Sequence, residues 1–386
     1  MKNVLIRAPL LSMSGYGTHS RQVFRWLETK NVNITSQILP WGITPWHVNP
    51  AALDGLVGRI MSTASPPPHA KFDISFQIQL PNEWDPSLAN FNVGITAAVE
   101  TDRCNPKWIE ACNKMNKIIV PSSFTQQCLK NSGVLTTPIE VIPEAFYDCL
   151  LDQENEKELD LNLSTDFNFL IFGQITGGNP FTDRKNTFFM IKWLCEEFAN
   201  NEDVGIVIKT NHGTNSSKDR QITSIMLDKL LAEVRPGSYP RVYMLHGALE
   251  QEEVQSVYQN PKIKALVAAT RGEGYGLPLL EASAASLPVI ATGWSGHLDF
   301  LKKGKFISLD YDLEPIPQAR VDEQIFIPGS RWACVKEKDF KLKLRKFYKS
   351  PNKPKEWAEN LSKTIHDNFS QTSINNLYSQ SLNGLL

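Results

Sequence analysis

Two carboxylates stand eight positions apart around a glycine-rich turn in Arg271-Gly272-Glu273-Gly274-Tyr275-Gly276-Leu277-Pro278-Leu279-Leu280-Glu281-Ala282. Glycines at 272, 274 and 276 let the backbone approach a ligand closely. Pro278 suits the first turn of a helix. The free N–H groups of such a helix start, aided by its dipole, form an anion site. Glu273 precedes the helix and Glu281 lies about one turn inside it. The pair could grip hydroxyl groups on two parts of one extended ligand. Read alone, the pattern is also that of a tight strand-to-helix turn with solvated acids.

A second cluster, Asp183-Arg184-Lys185-Asn186, opens a predicted helix. Two adjacent cations there suit a diphosphate through charge-assisted hydrogen bonds, and Lys209 ends the next predicted strand. Gly15-Tyr16-Gly17 lacks the third glycine of a dinucleotide fingerprint, and no acidic residue marks a ribose at the usual distance. Glu100 follows a predicted strand at the edge where sites gather in open α/β sheets; capping a helix with Asn105-Pro106 is its alternative role. Asp310-Tyr311-Asp312 reads as a loop rather than a metal site. The seven histidines show no metal-ligand spacing, and His246 and His297 read as structural. Trp41, Trp46 and Trp84 sit in predicted loops and read as packing residues, with stacking on a sugar as the alternative.

Glu273 and Glu281 reproduce the E-x7-E motif, and the chain resembles the retaining glycosyltransferases of family 4, which have the GT-B fold. Gly-Leu-Pro-Leu-Leu-Glu-Ala from Gly276 to Ala282 and Leu287-Pro288-Val289-Ile290-Ala291-Thr292 extend the resemblance, as do Gly247 and the helix predicted from Glu250 to Tyr258. The resemblance implies that Glu273 contacts the donor sugar and that Glu281 binds the nucleotide ribose. It sets the backbone of Gly274, Tyr275, Gly276 and Leu277 against the diphosphate and sugar. Lys185 resembles the family lysine that neutralises the leaving diphosphate. Where many members carry an arginine this chain has Gln174, so Arg184 or Lys209 is left to supply the second charge. Gly15 and Gly17 would face the donor phosphates across an interdomain cleft, with Thr18 and His19 near it, and Glu100 would face the acceptor. The implied partners are a nucleotide-sugar donor, with UDP or GDP, and a glycan or lipid-linked acceptor. The implied reaction retains anomeric configuration, by front-face attack, and requires neither metal nor cofactor. A phosphorylase or epimerase on the same scaffold, and a non-catalytic nucleotide-sugar binder, are the rival readings.

The elements that must position these residues follow from hydrophobic patterning. Short apolar runs at Asn3–Ala8, Phe72–Gln77, Asn92–Ala98, Asn116–Val120 and Ile139–Ile142 predict strands of a first domain, 1–155, with a helix carrying Val23, Phe24, Trp26 and Leu27. The stretch from Pro40 to Pro68 reads as loop, punctuated by Pro66-Pro67-Pro68. An acidic stretch, Leu151 to Asn168, with Glu154, Glu156 and Glu158, reads as a linker. Strands alternating with helices over 165–350 predict a second domain with a parallel sheet covered on both faces. Thr176-Gly177-Gly178-Asn179-Pro180 reads as a mobile loop over the site. A last segment, 354–386, with Trp357, Leu361, Ile365 and Phe369 on one face, is expected to return to the first domain, as in GT-B relatives. The class is α/β, with two Rossmann-like domains.

The chain has 386 residues, 40 basic and 41 acidic, for a formal charge of −1. That length suggests about two domains, and the neutral balance gives no support for nucleic-acid binding. Six cysteines without C-x-x-C spacing read as free thiols in a reducing compartment. Arg7 cuts the first apolar run short, which argues against a signal peptide. No run approaches the ~18 apolar residues of a spanning helix. Cytoplasmic location follows, with peripheral attachment to a membrane face left open.

Overall fold

A computed structural model describes residues 1–64, 71–152, 159–175 and 178–386. Pro66-Pro67-Pro68, Glu154, Glu156, Glu158, Thr176 and Gly177 therefore lie outside the described residues. The chain forms two compact units: Met1–Ala145 with Asp322–Ile327 and Gln371–Leu386, and Phe146–Val321 with Pro328–Ser370.

The first unit is built on strands β1 (Lys2–Ala8), β2 (Val32–Ile38), β3 (Phe72–Ile78), β4 (Ala89–Ile95), β5 (Lys117–Val120) and β6 (Ile139–Val141), with helices α1 (Gly15–Glu28), α2 (Leu56–Ser62), α3 (Pro106–Cys112) and α4 (Ser123–Asn131). The strands form one parallel sheet in the order β2-β1-β3-β4-β5-β6. Central strands bury both faces: Ile6, Phe76 and Val93 lie buried on one, and Leu5, Ser75 and Asn92 on the other. No strand was expected at β2, where Ser36 interrupts the apolar face of Val32, Ile34 and Ile38 at a half-exposed sheet edge. Helix α2 lies within the stretch read as loop. Its apolar residues Leu56, Val57 and Ile60 are buried, in a run too short for periodicity to stand out.

Ser14 caps α1, its hydroxyl accepting the Gly17 N–H at 3.1 Å. Val23, Phe24, Trp26 and Leu27 then enter the core. Gly17 is required here, since a Cβ would stand 2.0 Å from the Ser12 carbonyl oxygen, whereas one at Gly15 would meet nothing.

The second unit carries β7 (Phe167–Gly173), β8 (Val204–Thr210), β9 (Arg241–His246), β10 (Ile263–Ala268), β11 (Val289–Thr292) and β12 (Ile307–Leu309) in the order β12-β11-β10-β7-β8-β9, all parallel. Helices α5 (Thr187–Glu197), α6 (Ser217–Val234), α7 (Gln251–Gln259), α8 (Leu277–Ala284) and α9 (Leu298–Leu301) alternate with them. Two hydrophobic clusters, around Leu170, Leu266 and Leu280 and around Ile171, Ile208 and Val267, fill the two sides. An antiparallel hairpin, β13 (Tyr311–Pro315) with β14 (Arg331–Val335), follows the sheet, and α10 (Glu337–Lys349) and α11 (Asn352–Phe369) pack against the unit.

The C-terminal segment divides at Ser370. Leu361, Ile365 and Phe369 of α11, the helix of Trp357, belong to the core of the second unit, and His366 Nε2 lies 2.8 Å from the Ala284 carbonyl oxygen. Only α12 (Gln371–Ser381) joins the first unit. There Ile374 and Tyr378 enter the core, Tyr378 packs 5.1 Å from Trp26, and its hydroxyl lies 3.2 Å from His19 Nε2.

The Gly17 contact gives a direct prediction. Gly17→Ala should lose about 1–3 kcal/mol of stability through backbone overlap, while Gly15→Ala should stay within about 0.5 kcal/mol. Denaturant unfolding of the two variants checks this.

Candidate functional site

In the second unit β7 has β8 on one side and β10 on the other. The chain therefore reverses its direction of progress between β7 and β10, and open α/β sheets bind ligands beyond the strand ends at such a point. The loop after β7 carries Arg184 and Lys185. The loop after β10 carries Glu273.

These three side chains meet. Lys185 Nζ donates to Glu273 Oε1 at 2.8 Å, and Arg184 Nη1 lies 3.2 Å from Glu273 Oε2. Arg184 Nη1 also donates to the Gly272 carbonyl at 2.7 Å. Glu273 is 6% exposed. Burial works to raise its pKa, but the charges of Lys185 and Arg184 outweigh that and hold it at about 2. The carboxylate is thus ionised at neutral pH. Two cations against one anion leave the group with a net charge of 2 − 1 = +1.

Local structure explains the placement. The Asp183 carboxylate accepts the Lys185 N–H at 2.8 Å and the Thr187 N–H at 2.7 Å, capping α5. Asn186 takes a left-handed conformation, φ 57°, and its side-chain amide donates to the Ala269 carbonyl at 3.0 Å. Opposite, the Ser295 hydroxyl accepts the Glu273 N–H at 2.9 Å, and Gly296 N–H donates to the Glu273 carbonyl at 2.9 Å. A Cβ at Gly296 would stand 2.1 Å from the Gly274 carbonyl oxygen. His297 is fully buried, which lowers its pKa. Its Nε2 lies 2.8 Å from the Thr292 carbonyl, so that nitrogen bears the proton and Nδ1 faces the Ser295 hydroxyl. His297 thus stands behind Ser295, whose hydroxyl holds the Glu273 backbone. Gly276, at φ 103°, turns the chain into α8. In the first turn of α8 Pro278 has no N–H and the Leu279 N–H donates to the Gly276 carbonyl at 2.9 Å, which leaves the Leu277 N–H without an intrahelical acceptor. The Tyr275 ring is buried, edge-on to Phe300 at 5.3 Å.

Glu281 has a different environment. It is 4% exposed, its Oε2 lies 3.1 Å from the Tyr258 hydroxyl, and burial pushes its pKa up to about 8. Lys209 is buried as well, which lowers its pKa to about 8. Its Nζ donates to Asn211 Oδ1 at 2.8 Å and to the Gly247 carbonyl at 2.5 Å, not to Glu273. Arg184 is thus the cation that shares Glu273 with Lys185, and the Gln174 backbone N–H donates to the Thr187 hydroxyl at 3.1 Å. Buried polar atoms without a partner among the described residues collect at the same sheet edge: Asn186 Oδ1, Thr210 Oγ1, Thr270 Oγ1 and His246 Nε2. Such atoms call for an explanation, and a polar ligand is one.

Gly15, Gly17 and Glu100 belong to the first unit. Gly15 and Gly17 open α1, and the Tyr16 ring between them stacks on Trp41 with centroids 3.9 Å apart. The Tyr16 hydroxyl bonds Thr96 Oγ1 and Ala97 N–H, both at 3.0 Å. Glu100 is half-buried in the loop after β4; Asn105, not Glu100, caps α3. Thr18 Oγ1 accepts from Arg21, and His19 is buried with its pKa lowered to about 4. Trp84 is buried over Gly94, while Trp46 is partly exposed. Asp312 lies in strand β13 rather than a loop and pairs with Lys336 at 3.0 Å; Asp310 pairs with Lys343 at 3.1 Å. Among the described residues no group of three or more His, Cys, Asp or Glu could hold a metal, and no helix is long and apolar enough to cross a membrane.

Sequence reasoning missed Asp183, Tyr258, Arg271 and Ser295 as parts of the site. Asp183 carried a signal, an Asp four residues before the start of a helix. The others act through contacts between distant segments.

Residues 240–315, which contain both glutamates, match the family model for glycosyl transferases group 1. No curated protein matches the chain. Solved structures do: sucrose-phosphate synthase from Thermosynechococcus elongatus, with TM-score 0.64 and 14% identity over 100% of this chain and 99% of the other. Anabaena HepE in complex with UDP and glucose gives 0.63 and 12% over 99% of each, and OtsA gives 0.61 and 8% over 100% of each. The fold is GT-B, an α/β architecture of two parallel six-stranded sheets.

The two glutamates differ in sign. A carboxyl whose folded pKa exceeds its unfolded value of 4.5 holds a proton that the unfolded chain has lost, so its contribution to stability falls as pH rises from about 4.5 to about 8. Glu281→Gln should therefore gain stability relative to the unaltered chain by up to about 1.4 kcal/mol per pH unit across that window. Denaturant titrations at pH 5 and pH 8 measure it.

Proposed function

We propose that the chain is a retaining glycosyltransferase that moves a sugar from a nucleotide donor, a UDP- or GDP-sugar, to a glycan or lipid-linked acceptor in the cytoplasm, in the synthesis of a surface polysaccharide or other glycoconjugate. The observation that carries this reading is the Arg184–Glu273–Lys185 cluster at the β7–β10 switch point, within loops whose second half matches the glycosyl transferases group 1 model. The HepE structure holding UDP and glucose, and that of a pneumococcal O-GlcNAc transferase with UDP and GlcNAc, support a UDP-sugar as the first donor to test.

Breaking the bond between sugar and diphosphate leaves negative charge on the departing phosphate oxygen. Fixed positive groups aimed at that oxygen stabilise the transition state without reorganising. Arg184 and Lys185 supply the charge, and the Leu277 N–H at the start of α8 supplies an oriented donor. Glu273, kept ionised by the same two cations, orients sugar hydroxyls and offsets positive charge that develops on the sugar ring. Glu281 meets the ribose, where hydroxyl donors would compensate its burial. Lys209 and the backbone of Gly274–Leu277 complete the donor side. Gly15, Gly17 and Glu100 serve the donor phosphates and the acceptor from the first unit. In this scheme the leaving phosphate takes the acceptor proton, and no metal or cofactor is called on.

Each proposed role predicts a loss. Glu273→Gln and Lys185→Ala should each lower sugar transfer from the donor at least about 100-fold. Donor screening by thermal shift against UDP-glucose, UDP-GlcNAc and GDP-mannose identifies the substrate for the assay, because a bound ligand raises apparent stability. Unchanged transfer in both variants would show that the chemistry lies elsewhere.

A further inference from the structure

Arg271 is 6% exposed, and among the described residues no carboxylate pairs with it. A buried guanidinium needs partners for its N–H groups, and this one finds them on two separate segments. Its Nε donates to the Asp183 carbonyl at 3.1 Å, and its Nη1 donates to Cys334 Sγ at 3.0 Å. Its plane lies over Trp332, 5.3 Å from the ring centroid, and Trp332 is itself fully buried. Backbone bonds repeat the pattern: Arg271 N–H to the Arg184 carbonyl, and Ala333 N–H to the Arg271 carbonyl, both 2.8 Å.

Arg271 thus ties three pieces of chain together. On one side is the Asp183–Lys185 loop, which carries both cations. On its own strand end is the Gly272–Glu273 turn, which carries the anion. Behind it stands β14 of the hairpin, which adds nothing to the parallel sheet but delivers Trp332 and Cys334. Arg184 reaches back across the same gap to the Gly272 carbonyl. A charge pair such as Lys185–Glu273 weakens as its atoms separate, and a misplacement of about 1 Å can cost roughly 100-fold in rate.

We infer that Arg271, clamped by Trp332 and Cys334 of the β13–β14 hairpin, is a positioning residue that sets the Lys185–Glu273 contact. The hairpin is the back wall of the site. Arg271 touches no reacting atom; it acts through the two loops it joins. The inference rests on the glycosyl-transfer reading for its kinetic consequence, and on geometry alone for its structural one.

Arg271→Met keeps the aliphatic stem and removes the guanidinium; Arg271→Lys keeps a charge but cannot reach Asp183 and Cys334 together. With the full chain and UDP-glucose, or whichever donor of the screen is turned over, Arg271→Met should lower kcat at least tenfold while donor KM changes less than threefold. The rate at pH 4 relative to pH 7 should fall, because a looser Glu273 takes up a proton more readily. Arg271→Lys should restore less than half of the lost kcat. Trp332→Leu should move kcat and the pH 4 to pH 7 ratio in the same direction. A lowered melting temperature with kcat and the pH ratio unchanged would overturn the proposal and make Arg271 a packing residue. If the unaltered chain turns over no donor, the transfer reading fails, and thermal unfolding at pH 7 decides the positioning. The melting-temperature losses of Arg271→Met and Glu273→Gln should then sum to more than the loss of the double variant; strict additivity would overturn it.

Discussion

A buried carboxylate is tolerated only if charge is brought to it, and in this protein Glu273 brings the constraint to which the rest of the second unit answers. Removing one ion from water costs several kcal/mol even after relaxation. Lys185 and Arg184 offset that cost from a loop 88 residues away in sequence. For them to do so, β7 and β10 must be neighbours, which the strand order provides. Asn186 must turn left-handed, Asp183 must cap α5, and Ser295 and Gly296 must hold the backbone on either side of Glu273. The cluster of Arg184, Lys185 and Glu273 carries one net positive charge.

The contrast with Glu281 shows how environment divides two like residues. Glu273 is buried with two cations and is held at about 2; Glu281 is buried with a tyrosine hydroxyl and is pushed up to about 8. The first is an anion at neutral pH, and the second keeps its proton unless hydroxyl donors favour the charged form.

Much of this was legible in the chain. The apolar runs at 168–173 and 204–209 read as buried strands because both faces of a central parallel strand are covered, leaving little polar alternation to confuse them. The glycine turn from 272 to 276 and its two glutamates read as a site because their spacing is local. Edge elements were harder: β2 has its apolar face interrupted at Ser36 and is half-exposed, and β13 places Asp312 in a strand whose only partner is β14, some 20 residues on. Position 184 over position 209 as the partner of Glu273 was not legible at all. Both are cations at the carboxyl edge of one sheet, and only the path of the loop after β7 directs one to Glu273 while Lys209 turns to Gly247. Arg271, too, looks in sequence like one more basic residue beside a glycine.

The central claim is that Arg184 and Lys185 present their charge to a nucleoside diphosphate. Calorimetric titration of UDP and GDP into the unaltered chain and into an Arg184→Met/Lys185→Met double variant tests it most directly, with uridine and guanosine as uncharged controls. The account predicts that one of the diphosphates binds the unaltered chain, that its nucleoside binds at least tenfold more weakly, and that the double variant loses this preference. Equal affinity of the two chains for the diphosphate would contradict it.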